Sequence, residues 1–142
     1  MTDVIGYHHL SLSVSDLETS VDWYQQVLGL DVAAEIDGEG FRRTRLRAPR
    51  SGVTLTLTRH DQQSGETFSE RRPGMDHVAL QVSSADEVNA LKDRFEQLGV
   101  NHSQVKASNG TAMITLRDPD NIQIEVFGGA LDPNIAGGRA GA

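Results

Sequence analysis

Two stretches of this chain carry the same pattern 68 residues apart, and that internal repeat restricts the possible fold more than any other feature. His9-Leu10-Ser11-Leu12-Ser13-Val14-Ser15 aligns with His77-Val78-Ala79-Leu80-Gln81-Val82-Ser83 without gaps. In the first copy His9, Ser11 and Ser13 fall on one face of an extended strand, and Leu10, Leu12 and Val14 on the other. The second copy sets His77, Ala79 and Gln81 against Val78, Leu80 and Val82. Strands apolar on one side only belong to half-buried sheets, so the chain is expected to be built from two similar modules.

A helix is predicted after each strand. Leu17, Val21, Tyr24, Val27 and Leu28 follow the 3.6-residue period, Ser15 or Asp16 can cap the start, and Gly29 suits a left-handed end. The second copy offers Val88, Leu91, Phe95 and Leu98, then Gly99. Three short strands are expected beyond each helix, near 30–36, 41–48 and 53–60, and again near 101–106, 111–117 and 122–127. Each module then reads βαβββ. The modules span about 6–60 and 75–128, joined by a polar linker over 61–74 that contains Gly65, Pro73 and Gly74. Residues 129–142 hold too little apolar content to pack and read as a flexible tail.

At 142 residues the chain suits one domain of ordinary size. Its net charge of −7 opposes binding to nucleic acid or to an anionic membrane surface. The densest basic cluster, Arg42, Arg43, Arg45, Arg47 and Arg50, reads either as a solvated face or as a patch that steers anions. No segment approaches the roughly 18 apolar residues of a membrane span, and no secretory leader is recognisable, so a cytoplasmic location is expected. The sequence contains no cysteine, so any metal must be held by nitrogen and oxygen.

Chemistry enters through the last strand. Ile122-Gln123-Ile124-Glu125-Val126-Phe127 alternates, placing Gln123, Glu125 and Phe127 opposite the aliphatic face, while Val53-Thr54-Leu55-Thr56-Leu57-Thr58 puts three threonines on the matching face of module one. His9, His77 and Glu125 are thereby candidates for one concave polar surface. Two imidazoles and a carboxylate form the donor set that holds Fe(II), Mn(II), Ni(II) or Zn(II) with positions left open. Taken singly, either histidine is as readily a hydrogen-bonded structural residue, and Glu125 an exposed edge carboxylate. Their equivalent places in the repeat single out the histidines. His60 shares the parity of Thr56 and Thr58 and is a candidate proton-transfer group or simply a loop residue. His8, of opposite parity, is expected to point toward the helix. His102 carries no special signal, and Trp23 and Tyr24 are expected in the core or an interface.

These residues resemble the glyoxalase/bleomycin-resistance/dioxygenase proteins of the vicinal oxygen chelate superfamily. His9 through Leu17, Trp23-Tyr24 and Val27-Leu28-Gly29-Leu30 are similar to the opening module. Met75-Asp76-His77-Val78-Ala79-Leu80, Leu116-Arg117-Asp118-Pro119-Asp120 and Ile124-Glu125 are similar to the closing one. The resemblance covers residues 6–128 and implies an α+β fold in which two βαβββ modules form an eight-stranded, cup-shaped mixed sheet with flanking helices. It also implies homodimers, and His9, His77 and Glu125 as ligands of one divalent ion. Two positions depart from the pattern. Thr56 stands where glyoxalase I proteins carry a glutamate ligand, so the set looks more like that of extradiol dioxygenases or fosfomycin-modifying transferases. Asn121-Ile122 follows Asp-Pro-Asp where glycine and a polar residue are usual.

The expected function is a divalent-metal-dependent dioxygenase or lyase/isomerase that chelates a small oxygen-rich molecule, with Glu125 or His60 as base. The alternative is a metal-free, drug-sequestering protein of the bleomycin-resistance type. Its expected aromatic walls are poorly supplied here, with aromatics at 5% of residues and Phe41, Phe68 and Phe127 the available candidates. Fold alone does not decide between them.

Overall fold

The computed structural model describes residues 3–129. Along them run β1 (Ser11–Ser13), α1 (Leu17–Leu28), β2 (Asp31–Gly38), β3 (Phe41–Arg47) and β4 (Thr54–His60). There follow β5 (Val78–Val82), α2 (Ala85–Gln97), β6 (Lys106–Ser108), β7 (Thr111–Arg117) and β8 (Gln123–Gly128). The predicted βαβββ order is present twice. The strands form two four-stranded mixed sheets, ordered β1-β4-β3-β2 and β5-β8-β7-β6. In each, the first strand pairs in parallel with the last of its module and the other pairings are antiparallel. The chain divides into two compact units, one of residues 1–68 with 118–121, the other of 69–117 and 122 onward. The tail expected from residue 129 lies, but for Gly129, outside the described residues.

In the first unit α1 covers the aliphatic face of its sheet. Asp16 caps the helix by accepting from Thr19 N at 2.8 Å, and Gly29 closes it at φ 67°. Tyr24, Leu17 and Val27 of the helix and Leu12, Leu46 and Leu57 of the sheet are all buried, none more than 3% exposed. The Tyr24 hydroxyl donates to Asp118 Oδ2 at 2.9 Å, and Asp118 Oδ1 accepts from Asp120 N at 2.9 Å. Burial, then the adjacent carboxylate, pushes the Tyr24 phenol far above its ordinary value. Asp120 Oδ2 in turn accepts from Ser15 N at 2.9 Å. The Asp-Pro-Asp turn is therefore a packing device, and its atypical successor Asn121 fits because it adopts φ 66°, the left-handed conformation that asparagine tolerates best after glycine.

In the second unit Ser84 caps α2 by accepting from Glu87 N, while Glu87 accepts from Ser83 N. Val88 and Phe95 are fully buried, together with Ile114, Ile124 and Val126. β6 begins five residues later than predicted. His102 makes one isolated bridge to Leu116, but the Ser103 hydroxyl then accepts from Thr115 N at 3.0 Å, and the register has slipped by one residue when Lys106 pairs with Met113. Periodicity cannot reveal such a bulge. Asn109 and Gly110 supply the two positive φ values of the tight hairpin that follows.

Gly128 ends β8 against the cap of α2. A Cβ placed there would overlap the Ser84 carbonyl oxygen and stand 2.6 Å from its carbon, with Val88 Cγ2 at 2.7 Å. Gly128→Ala is expected to cost about 1–3 kcal/mol, since backbone cannot yield as a flexible side chain does. Urea denaturation checks this, with Gly6→Ala as the open-space comparison.

Candidate metal centre

β5 and β8 lie side by side in parallel, with Ala79 opposite Glu125. His77 immediately precedes β5, so the pairing brings its ring to the carboxylate: His77 Nε2 stands 3.4 Å from Glu125 Oε2. The other ring nitrogen, Nδ1, is 2.6 Å from Asp76 Oδ1. A carboxylate only accepts, so Asp76 fixes the proton on Nδ1 and turns Nε2 toward Glu125.

Glu125 is held from its other side. Its side chain is 12% exposed, and Oε1 accepts from Gln123 Nε2 at 3.1 Å. Gln123 Oε1 accepts from Arg117 Nη2 at 3.0 Å, and the same guanidinium grips both oxygens of Glu70 at 2.9 and 3.2 Å. Arg117, anchored by the accepting Glu70, thus donates to Gln123, which donates to Glu125 and leaves Oε2 facing the imidazole. Asp76, Gln123, Arg117 and Glu70 did not stand out in the sequence as site residues. Only the adjacency of Asp76 to His77 and the parity of Gln123 and Glu125 hinted at them, because hydrogen-bond partners on neighbouring strands have no fixed spacing.

The Arg117 guanidinium beside Glu70 holds that carboxyl well below its ordinary 4.5, at about 2. A lowered folded-state value contributes stability above about pH 4.5 that is lost as pH falls through about 2. Glu70→Gln should therefore be less stable than the parent at pH 6, with the difference vanishing toward pH 2. Urea midpoints measured across that range test the prediction.

A neutral imidazole lone pair aimed at a carboxylate is repulsive unless a cation lies between them. A proton supplies one such cation, but 3.4 Å is longer than an ordinary N–H···O bond of about 2.7–3.2 Å. A metal ion supplies the other. Ligand atoms each about 2.1 Å from one ion stand about 3.4 Å apart at the tetrahedral angle, so this pair fits two positions of a first coordination shell.

The remaining predicted residues belong to the first unit. His9 precedes β1 and is exposed, with its Nδ1 2.7 Å from Nδ1 of His8. His8 is likewise exposed, not buried under the helix as expected, and β1 starts only at Ser11. His60 is exposed at the end of β4, opposite Phe41, their ring centres 6.4 Å apart. Among the described residues no three His, Asp or Glu side chains stand together at metal-holding distance. Within the second unit the structure brings His77 and Glu125 together, while His9 belongs to the first unit.

A repeated βαβββ module whose second copy sets a carboxylate-oriented histidine against a strand-borne glutamate defines a paired-module α+β protein with a candidate metal site. The chain belongs to the Glyoxalase/Bleomycin resistance protein/Dioxygenase superfamily, whose family model matches residues 6–126. It is 30% identical over 128 residues to the trivalent organoarsenical cleaving enzyme of Bacillus sp. (strain MD1), covering 85% of this chain and 71% of that protein. It is 28% identical over 132 residues to glutathione transferase FosA of Serratia marcescens, covering 93% and 86%. Among solved structures, a glyoxylase/bleomycin resistance protein/dioxygenase domain from Frankia sp. EAN1pec superimposes with a TM-score of 0.82 at 28% identity, covering 90% and 94%. The fosfomycin resistance protein FosX of Listeria monocytogenes, complexed with Mn(II) and sulfate, shares the fold at a TM-score of 0.67 and 22% identity, covering 91% and 96%. No helix among the described residues is long and apolar enough to cross a membrane.

Proposed function

We propose that this protein is a divalent-metal-dependent enzyme acting on a small oxygen-rich molecule, with His77 and Glu125 as two metal ligands and His9 as the third. The observation that carries the reading is the His77–Glu125 pair, fixed at 3.4 Å by Asp76 on one side and Gln123 on the other. His9 is supplied by the same chain or by a second copy in a homodimer. Fe(II), Mn(II), Ni(II) and Zn(II) all suit two imidazoles and a carboxylate. When bound, such an ion supplies Lewis acidity to substrate oxygens and to water. Asp76 keeps the proton on His77 Nδ1, so that Nε2 remains a lone-pair donor. Gln123, steadied by Arg117, keeps Glu125 Oε1 occupied and Oε2 directed at the site. His60 is the candidate proton carrier at the end of β4.

The two curated relatives differ in substrate chemistry, and the composition weighs between them. Trivalent arsenic is a soft centre that prefers thiolates, and none of the 142 residues is a cysteine. Hard oxygen donors on the substrate match the nitrogen and oxygen set better. Metal content per chain, measured by plasma mass spectrometry and followed by turnover screens of vicinal diols, catechols, epoxides and thiol adducts under each ion, tests the proposal. About one equivalent of metal with ion-dependent turnover supports it. Absence of stoichiometric metal after reconstitution overturns it in favour of the metal-free binding protein.

A further inference from the structure

Strand β3 of the first unit carries a basic row whose members differ in how they are paired. Arg42 points to the helix side and is neutralised there, 2.9 Å from Glu18 and 3.5 Å from Asp37. Arg43, Arg45 and Arg47 have the opposite parity. Arg47 lies across from Asp31. The cross-strand neighbours of Arg43 are Ile36 and Thr58, and those of Arg45 are Ala34 and Thr56, so neither faces a carboxylate. In a chain of net charge −7, two arginines without an acidic partner among the described residues are conspicuous on electrostatic grounds.

Arg43 is also held in place. Its guanidinium carbon sits 4.0 Å from the centre of the Phe41 ring, and Nε donates to Thr58 Oγ1 at 3.0 Å. With Nε engaged, the two terminal nitrogens form the remaining fork, the geometry that matches two oxygens of one anion. Thr58, only 3% exposed, shares a hydrogen bond of 2.8 Å with Ser11 Oγ, which is exposed on the same face. Thr56, in the next row and 4% exposed, has a hydroxyl with no hydrogen-bond partner.

We propose that Arg43, with Arg45 and the Ser11–Thr58 hydroxyl pair, forms an oxyanion subsite that binds a carboxylate or phosphate-like group of the substrate. This rests on the metalloenzyme reading only in that the anion belongs to that substrate; the subsite itself is a property of the first unit. The Phe41 face and the Thr58 bond fix the guanidinium plane, so the anion is oriented as well as attracted. Exposed Ile36 and half-buried Ala34 extend the row with apolar surface for the rest of the molecule.

The test uses inorganic phosphate and acetate as probes, titrated calorimetrically into the metal-reconstituted protein at constant ionic strength set with chloride. Metal content is measured on the same samples. Saturable binding is expected, lowered at least about tenfold in Arg43→Ala and partly retained in Arg43→Lys, which keeps the charge but loses the fork. Arg47→Ala, the control, should change it less than twofold. Preference for phosphate or for acetate then tells which group the subsite takes. No saturable binding of either probe, or equal losses in Arg43→Ala and Arg47→Ala, overturns the subsite. Loss of metal without loss of probe binding would instead overturn the metalloenzyme reading and leave the subsite standing.

Discussion

Glu125→Ala is expected to abolish stoichiometric metal binding, lowering affinity for Mn(II) or Zn(II) by more than about 100-fold while the metal-free protein stays folded. The magnitude follows from position. Removing a partner that only orients a ligand costs about 10–100-fold in affinity, and removing a ligand costs more. Asp76→Asn supplies the lower rung of that scale, because it leaves both donor atoms in place and removes only the charge that fixes the Nδ1 proton of His77. Calorimetric titration of the parent and the two variants should give affinities in the order parent, Asp76→Asn, Glu125→Ala. If Glu125→Ala binds metal like the parent, the 3.4 Å pair is an acid–imidazole contact and nothing more.

Asp118→Ala is expected to be as destabilising as truncating a core side chain, at about 3–5 kcal/mol. Asp118 is 5% exposed and accepts from both the Tyr24 hydroxyl and Asp120 N. Each hydrogen bond to a charged group contributes about 1.5–3 kcal/mol, and deleting the carboxylate strands a fully buried phenol as well. Tyr24→Phe removes only the first of these bonds and should cost about half as much. Thermal denaturation separates them: for a chain of this length each kcal/mol lowers the melting temperature by roughly 2–4 °C. Equal shifts for the two variants would show that the aspartate acts through the tyrosine alone.

These two aspartates, 76 and 118, mark where sequence reasoning stopped. Strand parity placed Glu125 on the polar side of β8, and the repeat paired His9 with His77, because side-chain alternation is a local property of extended chain. Local signals likewise reached both helices, from the Asp16 cap to the left-handed glycines at 29 and 99. Asp118 was legible as part of a turn, but its burial under Tyr24 was not, since the two are joined by a hydrogen bond between residues 94 apart. The arginine run shows the same division. Its spacing favoured a solvated face over an anion patch, and parity alone could not say that Arg42 would find Glu18 while Arg43 would stack on Phe41.

The sequence by itself determined two βαβββ modules, the bounds of most elements, and the residue types available to hold a metal without thiolates. Each of these follows from periodicity, capping or composition within a short window. Tertiary structure decided which candidates meet and how they are held: His77 with Glu125, Asp76 behind the ring, and Arg117 and Gln123 behind the carboxylate. It also decided that β6 starts late, through one serine hydroxyl replacing a backbone acceptor. Such contacts depend on cross-strand register and on rotamers chosen by packing, which no local window of the chain encodes.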